Sequence, residues 1–450
     1  MVSTGSTDEG GGATDRSDGS PDLSDGSTDL SDGSAGLELD DLAERLDERL
    51  AEADERLSAR YPGDLPGRQP VHTVYVPADR CRVGLAHRWA SQAERAVIEH
   101  GALFLEVVGG DEVLLNRVLL KLEREPVEDL RIDVEDGYGD RGDEIEDADV
   151  RAAAAALRED LDAGTAPPHV GLRFKSLEAP TRRRGLRSLA LFVQTLTAEG
   201  PLPPGFVLTL PKVTSVDQVE AMAEAAGHLE QRLGLDQGAL RFEIQVETPQ
   251  AVLDHAGGSP LPAMLHAADG RCAGLHFGTY DYSAALGIAA AQQSMEHPAA
   301  DHAKAVMQVA VAGTGVRLSD GSTNVLPVGD EADVRRGWEL HHRLVTRSLE
   351  RGFYQGWDLH PAQLPTRYAA TFGFFRAGCA DATTRLRRHA ERRPGSVADE
   401  PATVRALAGF LLRGFECGAL TSAEVTGPSG HDLTTLAGLA GRLPRRPSSP

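Results

Sequence analysis

The sequence is poor in cysteine and has no long apolar segment. Its four cysteines are far apart and form no CxxC pair, which argues against a disulfide framework and against structural zinc. No apolar run approaches the roughly 20 residues needed to cross a bilayer. No basic region followed by an apolar stretch marks a secretory signal. We therefore predict a cytoplasmic protein with no membrane partner, whose cysteines are reduced: Cys81, Cys272, Cys379 and Cys417.

Basic residues are also scarce. The chain of 450 residues has 46 Lys and Arg against 68 Asp and Glu, a formal net charge of −22. Non-specific binding of nucleic acid needs basic surface that neutralises phosphates, so we expect no nucleic-acid partner. Much of the acid lies in the N-terminal part, so the surplus does not by itself indicate a cationic partner. The 41% hydrophobic fraction is typical of a globular protein with a substantial core.

The two ends of the chain differ from its middle. Residues 1–36 are acidic and rich in Gly and Ser, with DRSDGS and DLSDGS repeats and almost no apolar content, so we predict disorder. Residues 37–62 carry leucines at helical spacing among charges, which predicts an amphipathic helix. We expect its apolar face to pack on the same chain, with another subunit as the alternative. Residues 441–450 form a second predicted disordered tail.

Between residues 71 and 365, strand-like runs alternate with helical patterns. This alternation indicates a parallel sheet, and eight units in about 290 residues fit a (β/α)₈ TIM barrel. A doubly wound open sheet is the competing architecture, but no GxGxxG follows any strand. Residues 366–440 are predicted to form a C-terminal helical region, and residues 102–108 fit either a strand or a helix. The predicted strands lie at 71–78, 130–136, 169–175, 205–213, 241–248, 272–278, 314–321 and 354–361.

Charged residues stand at the ends of these strands, one after another. In a parallel barrel such ends converge on the face where active sites are built. Acids are common in this chain, so the recurrence carries more information than any single residue. The strand-end residues are Glu135, Asp136, Arg173, Lys175, Lys212, Glu247, Asp281, Asp320, Asp358 and His360.

Several carboxylates beside Arg and Lys predict a divalent-cation site with an anion clamp. Glu247 and Asp281 are the best ligand pair, and two carboxylates with room for water suit Mg²⁺ better than zinc. Arg173 could hold a substrate carboxylate or a developing enolate oxygen, or it could form a salt bridge to Glu135 or Asp136. Lys212 could add positive potential or form a structural ion pair, while His360 fits a hydrogen bond that fixes its loop better than a base.

The sequence resembles the superfamily of citrate lyase β-subunits, malyl-CoA lyases and metal-dependent 2-keto-acid aldolases, and more distantly malate synthase. Each matching stretch is weak alone, but they follow the family's order and cover nearly all of residues 71–365. The stretches are VYVPADR (74–80), DVEDGYG (133–139), GLRFKS (171–176), LPKV (210–213), IQVET (244–248), FGTYDYSAALG (277–287) and WDLHPAQL (357–364).

The resemblance implies roles for individual residues. Glu247 and Asp281 match the ligands of magnesium (or manganese), and Arg173 matches the arginine that contacts the keto acid and stabilises its enolate. Glu135 and Asp136 match the acidic pair that orders metal-bound water or substrate. The segment LHPAQL, which contains His360, matches the loop near the acyl or coenzyme A end of the substrate. The catalytic base stays open between a C-terminal carboxylate (Asp381, Asp399 or Asp432) and His276.

Together these features predict a Mg²⁺-dependent carbon–carbon lyase or aldolase acting on a 2-keto acid or acyl-CoA substrate through an enolate. The resemblance also makes a homo-oligomer an expectation. One alternative is phosphoenolpyruvate- or pyruvate-type enolate chemistry on the same barrel, although no GxxxxGK[ST] phosphate loop occurs. The other is a catalytically silent barrel that serves as a binding scaffold, since a fold does not fix a function.

Overall fold

The computed structural model describes residues 39–64, 66–391 and 400–442. The predicted tail at 1–36 and most of the predicted tail at 441–450 lie outside the described residues. The chain divides into two compact units, residues 1–57 and 58–450. Helix α1 (Leu39–Arg60) begins in the first unit, and none of its residues is buried. Its leucines, which are 41–58% exposed, are Leu39, Leu42, Leu46, Leu50 and Leu57.

Eight parallel strands form the centre of the second unit. Their order in the sheet is β7-β6-β5-β4-β3-β2-β1-β8, so each strand lies beside its neighbour in sequence and β8 lies beside β1. A bridge between Ser319 and Gln355, and the hydrogen bond from the Asp320 N–H to the Gln355 carbonyl (2.9 Å), join the last two strands. The predicted (β/α)₈ barrel is therefore confirmed. The strands are β1 (His72–Pro77), β2 (Asp129–Asp133), β3 (His169–Arg173), β4 (Phe206–Leu210), β5 (Arg241–Val246), β6 (Cys272–Phe277), β7 (Arg317–Ser319) and β8 (Gly356–Asp358).

Helices surround the barrel and extend beyond it at the C-terminus. Residues 102–108 are helical, so of the two predicted alternatives the helix is correct. The described helices after α1 are α2 (Leu85–Glu99), α3 (Gly101–Val108), α4 (Glu112–Arg124), α5 (Asp143–Asp162), α6 (Arg182–Thr197), α7 (Val216–Leu233), α8 (Pro249–Val252), α9 (Leu261–Ala267), α10 (Thr279–Ala285), α11 (Pro298–Val311), α12 (Glu331–Glu350), α13 (Leu364–Ala390), α14 (Pro401–Glu416), α15 (Ser422–Ser429) and α16 (Leu433–Leu439). Three 3₁₀ helices lie at Ala78–Arg80, Ala290–Gln292 and Pro361–Gln363.

The two faces of the strands differ in character. Apolar side chains such as Ile132, Leu172 and Ile244 are fully buried in one continuous core with the helices. The other face carries polar residues that meet across the barrel. Tyr75 Oη of β1 donates to Glu243 of β5 at 3.0 Å. Because β1 and β5 are not neighbours in the sheet, this contact crosses the interior. TIM barrels are usually filled with branched apolar side chains, so this interior is unusually polar.

Two global expectations can be compared with the described part of the chain. There, no helix is long and apolar enough to cross a membrane. All four cysteines are free thiols, and three of them are buried. This agrees with the prediction that the chain has no disulfide framework.

Candidate active site at the carboxyl ends of the strands

Glu247 stands at the turn where β5 passes into helix α8. Thr248 is the N-cap of this helix, and its hydroxyl accepts a hydrogen bond from the Ala251 N–H at 3.3 Å. Pro249 occupies the first turn, where its missing N–H costs nothing. The Thr248 hydroxyl also donates to the Val213 carbonyl after β4. These contacts fix the turn and hold the Glu247 side chain at the end of the strand.

The Glu247 carboxylate is buried without a cationic partner. Glu247 is only 1% exposed, and no Lys, Arg or His of the described chain lies within ion-pair distance of its carboxylate. Oε1 accepts the backbone N–H of Lys212 at 2.8 Å, and Oε2 accepts the Gln245 amide at 2.6 Å. Burial, followed by the charges of Asp281 and Glu135, raises the pKa of Glu247 to about 8, although Lys212 opposes the shift. The surrounding protein therefore does not fully compensate the ionised form of Glu247.

Gly278 allows Glu247 to lie against the turn after β6. A Cβ atom on Gly278 would stand 2.4 Å from the Glu247 Cβ and 2.6 Å from its Oε2. No real side chain tolerates such distances, so the position is restricted to glycine while Glu247 keeps this conformation. Gly278 also precedes α10, which carries Asp281 in its first turn. The glycine thus brings the β5 and β6 carboxylates together.

Lys212 is the centre of an acidic cluster. Its Nζ lies 2.7 Å from Glu135, 2.6 Å from Asp136 and 3.8 Å from Asp281. Although burial acts in the opposite direction, Glu247 and Glu135 raise the pKa of Lys212, so its ammonium is retained at neutral pH. Burial raises the pKa of Glu135. For Asp136, burial is the largest single effect and acts upward, but the hydrogen bond and charge of Lys212 together with smaller contributions from Glu135 and Arg173 lower its pKa overall. One ammonium thus faces three carboxylates in this cluster.

Arg173, the last residue of β3, is held on several sides. Its Nε and Nη2 donate to the two carboxylate oxygens of Asp133 at 2.7 and 2.8 Å. Its Nη1 lies 3.6 Å from Glu135. The guanidinium carbon is 4.7 Å from the ring centroid of Tyr75 and 5.2 Å from that of Trp357. The predicted salt bridge to Glu135 therefore exists as a minor contact, and the main partner is Asp133.

The remaining predicted residues occupy other environments. The His360 ring accepts the Ala362 N–H at 3.1 Å in a capping box with Gln363, so it fixes its loop as expected. Lys175 pairs with Glu146 at 2.8 Å. Asp320 and Asp358 are buried. Asp320 contacts the helix residues Lys304 and Ser348, and Asp358 contacts Arg367 and His341 on helices and His72 at the start of β1. These last two strand-end acids are structural in this fold.

The three candidate bases within the described residues occupy separate environments. His276 is fully buried, with Nδ1 3.2 Å from Tyr75 Oη and Nε2 without a partner in the described chain. Asp381 lies on α13 and contacts Arg385 at 3.3 Å. Asp432 caps α16 by accepting the Thr435 N–H. Asp399 lies outside the described residues.

Several residues of the site escaped the sequence analysis. Asp133 belongs to the matching segment DVEDGYG, but only its contact with Arg173 in the structure gives it a role. Alternation along β2 offers a signal: positions 131, 133 and 135 share the inward face, so Asp133 should meet an inward Arg173. The other residues that sequence reasoning missed are Gln245, Gly278, Tyr75 and Trp357.

The donor set suits a hard divalent cation with few protein ligands. Among the described residues, no three His, Cys, Asp or Glu side chains are grouped so that they alone could hold a metal ion. Mg²⁺ usually keeps several waters and takes only one or two carboxylates. The uncompensated Glu247 carboxylate with the half-exposed Asp281 beside it (49% exposed side chain) matches that demand. The residues present therefore fit Mg²⁺ and do not fit a closed zinc site.

Comparisons with known proteins give a family and a fold. A family model described as a domain of unknown function (DUF6986) matches residues 50–443. No curated protein matches the chain. Among solved structures, a citrate lyase from Burkholderia xenovorans LB400 is 19% identical with a TM-score of 0.55, covering 81% of this chain and 97% of that one.

Two further similar structures have lower TM-scores. The citrate lyase beta subunit from M. tuberculosis, complexed with oxaloacetate and magnesium, is 19% identical with a TM-score of 0.39, covering 67% of this chain and 96% of that one. A malate synthase from Haloferax volcanii is 16% identical with a TM-score of 0.46, covering 68% and 74%. The resemblance inferred from the sequence is confirmed at the level of the fold.

Proposed function

The chain belongs to the family described as a domain of unknown function, DUF6986, and we propose that it is a Mg²⁺-dependent carbon–carbon lyase of the aldolase type. Its substrate would be a 2-keto acid or an acyl-CoA thioester that reacts through an enolate. The observation that carries the proposal is the buried Glu247 carboxylate. In the described chain it has no cationic partner within ion-pair distance, and it is close enough to Lys212, Asp281 and Glu135 for their charges to act on its pKa. The fold shared with a citrate lyase supports the same reading.

Glu247 and Asp281 are the residues that would hold the metal ion. When bound, Mg²⁺ supplies Lewis-acid polarisation of a substrate carbonyl and charge for the enolate oxygen. Lys212 contributes from the protein side, because its backbone N–H fixes Glu247 while its ammonium retains Glu135 and Asp136 in place. The cluster therefore orients its own carboxylates before any ligand arrives.

Arg173 supplies the positive charge for the substrate. Asp133 engages Nε and Nη2, so Nη1 is the group left to donate to a substrate carboxylate or to a developing enolate oxygen. The rings of Tyr75 and Trp357 stack on the guanidinium and exclude water from that side. A donor fixed in a dry site stabilises developing charge more strongly than one in water.

The test is a Mg²⁺-dependent product screen with a panel of 4-hydroxy-2-keto acids and 3-hydroxyacyl-CoA thioesters. Wild type is compared with Glu247→Gln and Asp281→Asn, and Glu99→Gln, an exposed position on α2, is the matched control. We expect metal-dependent release of pyruvate, glyoxylate or acetyl-CoA that falls about 10²–10³-fold in both site variants and is unchanged in the control.

Mg²⁺ binding is measured on the same samples by calorimetry. Binding that is lost in Glu247→Gln, together with turnover, supports the proposal. If the folded wild type neither binds Mg²⁺ nor cleaves any substrate, the metal-site argument fails and a scaffold role gains support.

A further inference from the structure

The opposite end of the barrel contains a large cavity. About 650 Å³ in volume, it is lined by the first residues of β5 and β6 (Arg241 and Cys272) and by Val316, immediately before β7. The candidate active site lies where β5 and β6 end, so the cavity and that site are on opposite faces. A second cavity of about 180 Å³ shares Gly315 and Val316 with the first and is lined by Arg317.

Two arginines at this junction have no carboxylate partner in the described chain. Arg317 Nη2 donates to the Gly67 carbonyl at 3.3 Å. Arg241 Nη2 donates to the Cys272 carbonyl at 3.2 Å. Both residues are half-buried, so their charges are partly removed from water without an opposite charge beside them. Burying a charge in this way is costly unless a counter-ion joins it.

The surroundings confirm an excess of positive charge at this point. Burial and the neighbouring Arg241 and Arg442 guanidiniums lower the pKa of Arg317. Burial and the Arg317 guanidinium lower the pKa of His169, which lines an adjoining small cavity, to about 4. The two acids whose charges raise the pKa of Arg317 pair with other arginines: Glu416 with Arg442 at 2.8 Å, and Asp129 with Arg131.

The rest of the lining determines what kind of anion would fit. One wall of the larger cavity is apolar, with Pro262, Leu265 and Ala310 among its residues. Asp269 also lines the cavity, and it is exposed to solvent. A ligand with one anionic end and a hydrocarbon part matches this combination of guanidiniums and apolar wall.

We propose that a small organic anion binds where the two cavities adjoin. Its carboxylate or phosphate would be held between Arg241, which lines the larger cavity, and Arg317, which lines the smaller one, with its hydrocarbon part along the apolar wall of the larger cavity. The site is independent of the proposed lyase chemistry, because no residue of the candidate active site lines it. In a chain with a net charge of −22, two adjoining cavities that each carry a guanidinium without a carboxylate partner would attract anions locally.

The test is isothermal titration calorimetry of the full chain at constant chloride with inorganic phosphate, hexanoate and hexyl phosphate. We expect saturable binding of at least one six-carbon probe, about 10-fold or more weaker in Arg241→Gln and in Arg317→Gln. Arg183→Gln, an exposed arginine on α6, serves as the matched control and should bind as wild type. The preferred head group then distinguishes a carboxylate from a phosphate ligand.

Ala310→Phe tests the apolar wall without touching a charge. It should weaken the six-carbon probes and leave inorganic phosphate binding unchanged. Arg317→Lys preserves the charge, so it should lose less affinity than Arg317→Gln even if the latter folds poorly by circular dichroism. The proposal is overturned if no probe saturates the wild type, or if the Arg241 and Arg317 variants bind as tightly as Arg183→Gln.

Discussion

The backbone N–H of Lys212 donates to the Glu247 carboxylate at 2.8 Å from a left-handed backbone conformation, with φ at 52°. The same residue places its ammonium among Glu135, Asp136 and Asp281. Lys212 therefore serves the site with two separate groups. A left-handed conformation is costly for a residue with a Cβ atom, so the local backbone is strained here to aim the N–H.

Lys212→Gly should be more stable than Lys212→Ala by about 1 kcal/mol. Both variants lose the ammonium and keep the N–H, but only glycine adopts φ 52° without strain. Urea denaturation of the two variants measures the difference. Glu220→Gly and Glu220→Ala, in the exposed part of helix α7, form the control pair and should show the opposite order. Equal stability of the two Lys212 variants would contradict the strain argument.

Gly278→Ala should displace Glu247. The added Cβ would lie 2.4 Å from the Glu247 Cβ, so the carboxylate must move or the turn must shift. We expect Mg²⁺ affinity to fall about 10- to 100-fold and stability to fall by about 1–3 kcal/mol. Calorimetry and urea denaturation measure the two effects. Gly373→Ala is the control, because its Cβ would meet nothing within 4 Å on helix α13, and it should retain full affinity.

The charge of Glu247 should make the metal-free protein less stable at alkaline pH. The folded pKa is raised from 4.5 to about 8, so the folded state binds a proton more tightly than the unfolded state does. The contribution of this group to stability is therefore fully present below pH 4.5 and is lost as the pH rises through 8. Glu247→Gln cannot lose a proton and avoids this loss.

Denaturation in EDTA at about pH 5 and about pH 8.5 checks this prediction. The free energy of unfolding of wild type relative to Glu247→Gln should fall between the two pH values, by a few kcal/mol at most. If the stability of wild type relative to Glu247→Gln does not change with pH, other groups compensate the charge of the Glu247 carboxylate in the metal-free protein.

Asp358→Asn should be strongly destabilising although Asp358 ends a strand of the barrel. Its carboxylate accepts from Arg367 Nη2 at 2.7 Å and from the two buried histidines His72 and His341, each at 2.9 Å. Neutralising it leaves the Arg367 guanidinium buried without an opposite charge, which typically costs about 3–5 kcal/mol. The control is Asp381→Asn. Asp381 lies on the exposed side of α13, the helix that carries Arg367, and its replacement should change stability little. A loss as small as that of the control would show that the network is not tightly coupled.

The fold could be predicted because each strand is a short apolar run followed by polar residues. All eight predicted strands are present, and each is shorter than predicted, β7 and β8 most of all. The cluster around Lys212 could also be predicted from the sequence, because the carboxyl ends of the strands meet in a parallel barrel. The direction of a side chain could not be predicted only from its place at the end of a strand. Asp320 and Asp358 also end strands, yet they contact helix residues and, for Asp358, His72 at the start of β1, because successive residues of a strand face opposite sides.

Contacts between distant segments set the remaining features of the site. Asp133 accepts hydrogen bonds from Arg173, forty positions later in the sequence. Alternation places both residues on the inward face, but the two-point contact between them depends on how β2 and β3 pair. The left-handed backbone conformation of Lys212 could not be predicted either, because nothing in the sequence PKV distinguishes this residue from an ordinary loop lysine. The need for glycine at 278 follows only from the approach of Glu247.

The anchoring of Arg173 has a consequence for binding entropy. A free arginine side chain loses about 2 kcal/mol of rotamer freedom when a ligand immobilises it. Here Asp133 and the rings of Tyr75 and Trp357 restrict the guanidinium as the chain folds. An anion that meets Nη1 therefore encounters a side chain that is already ordered. Affinity at this position should depend on the shape of the anion and not on the flexibility of the residue that receives it.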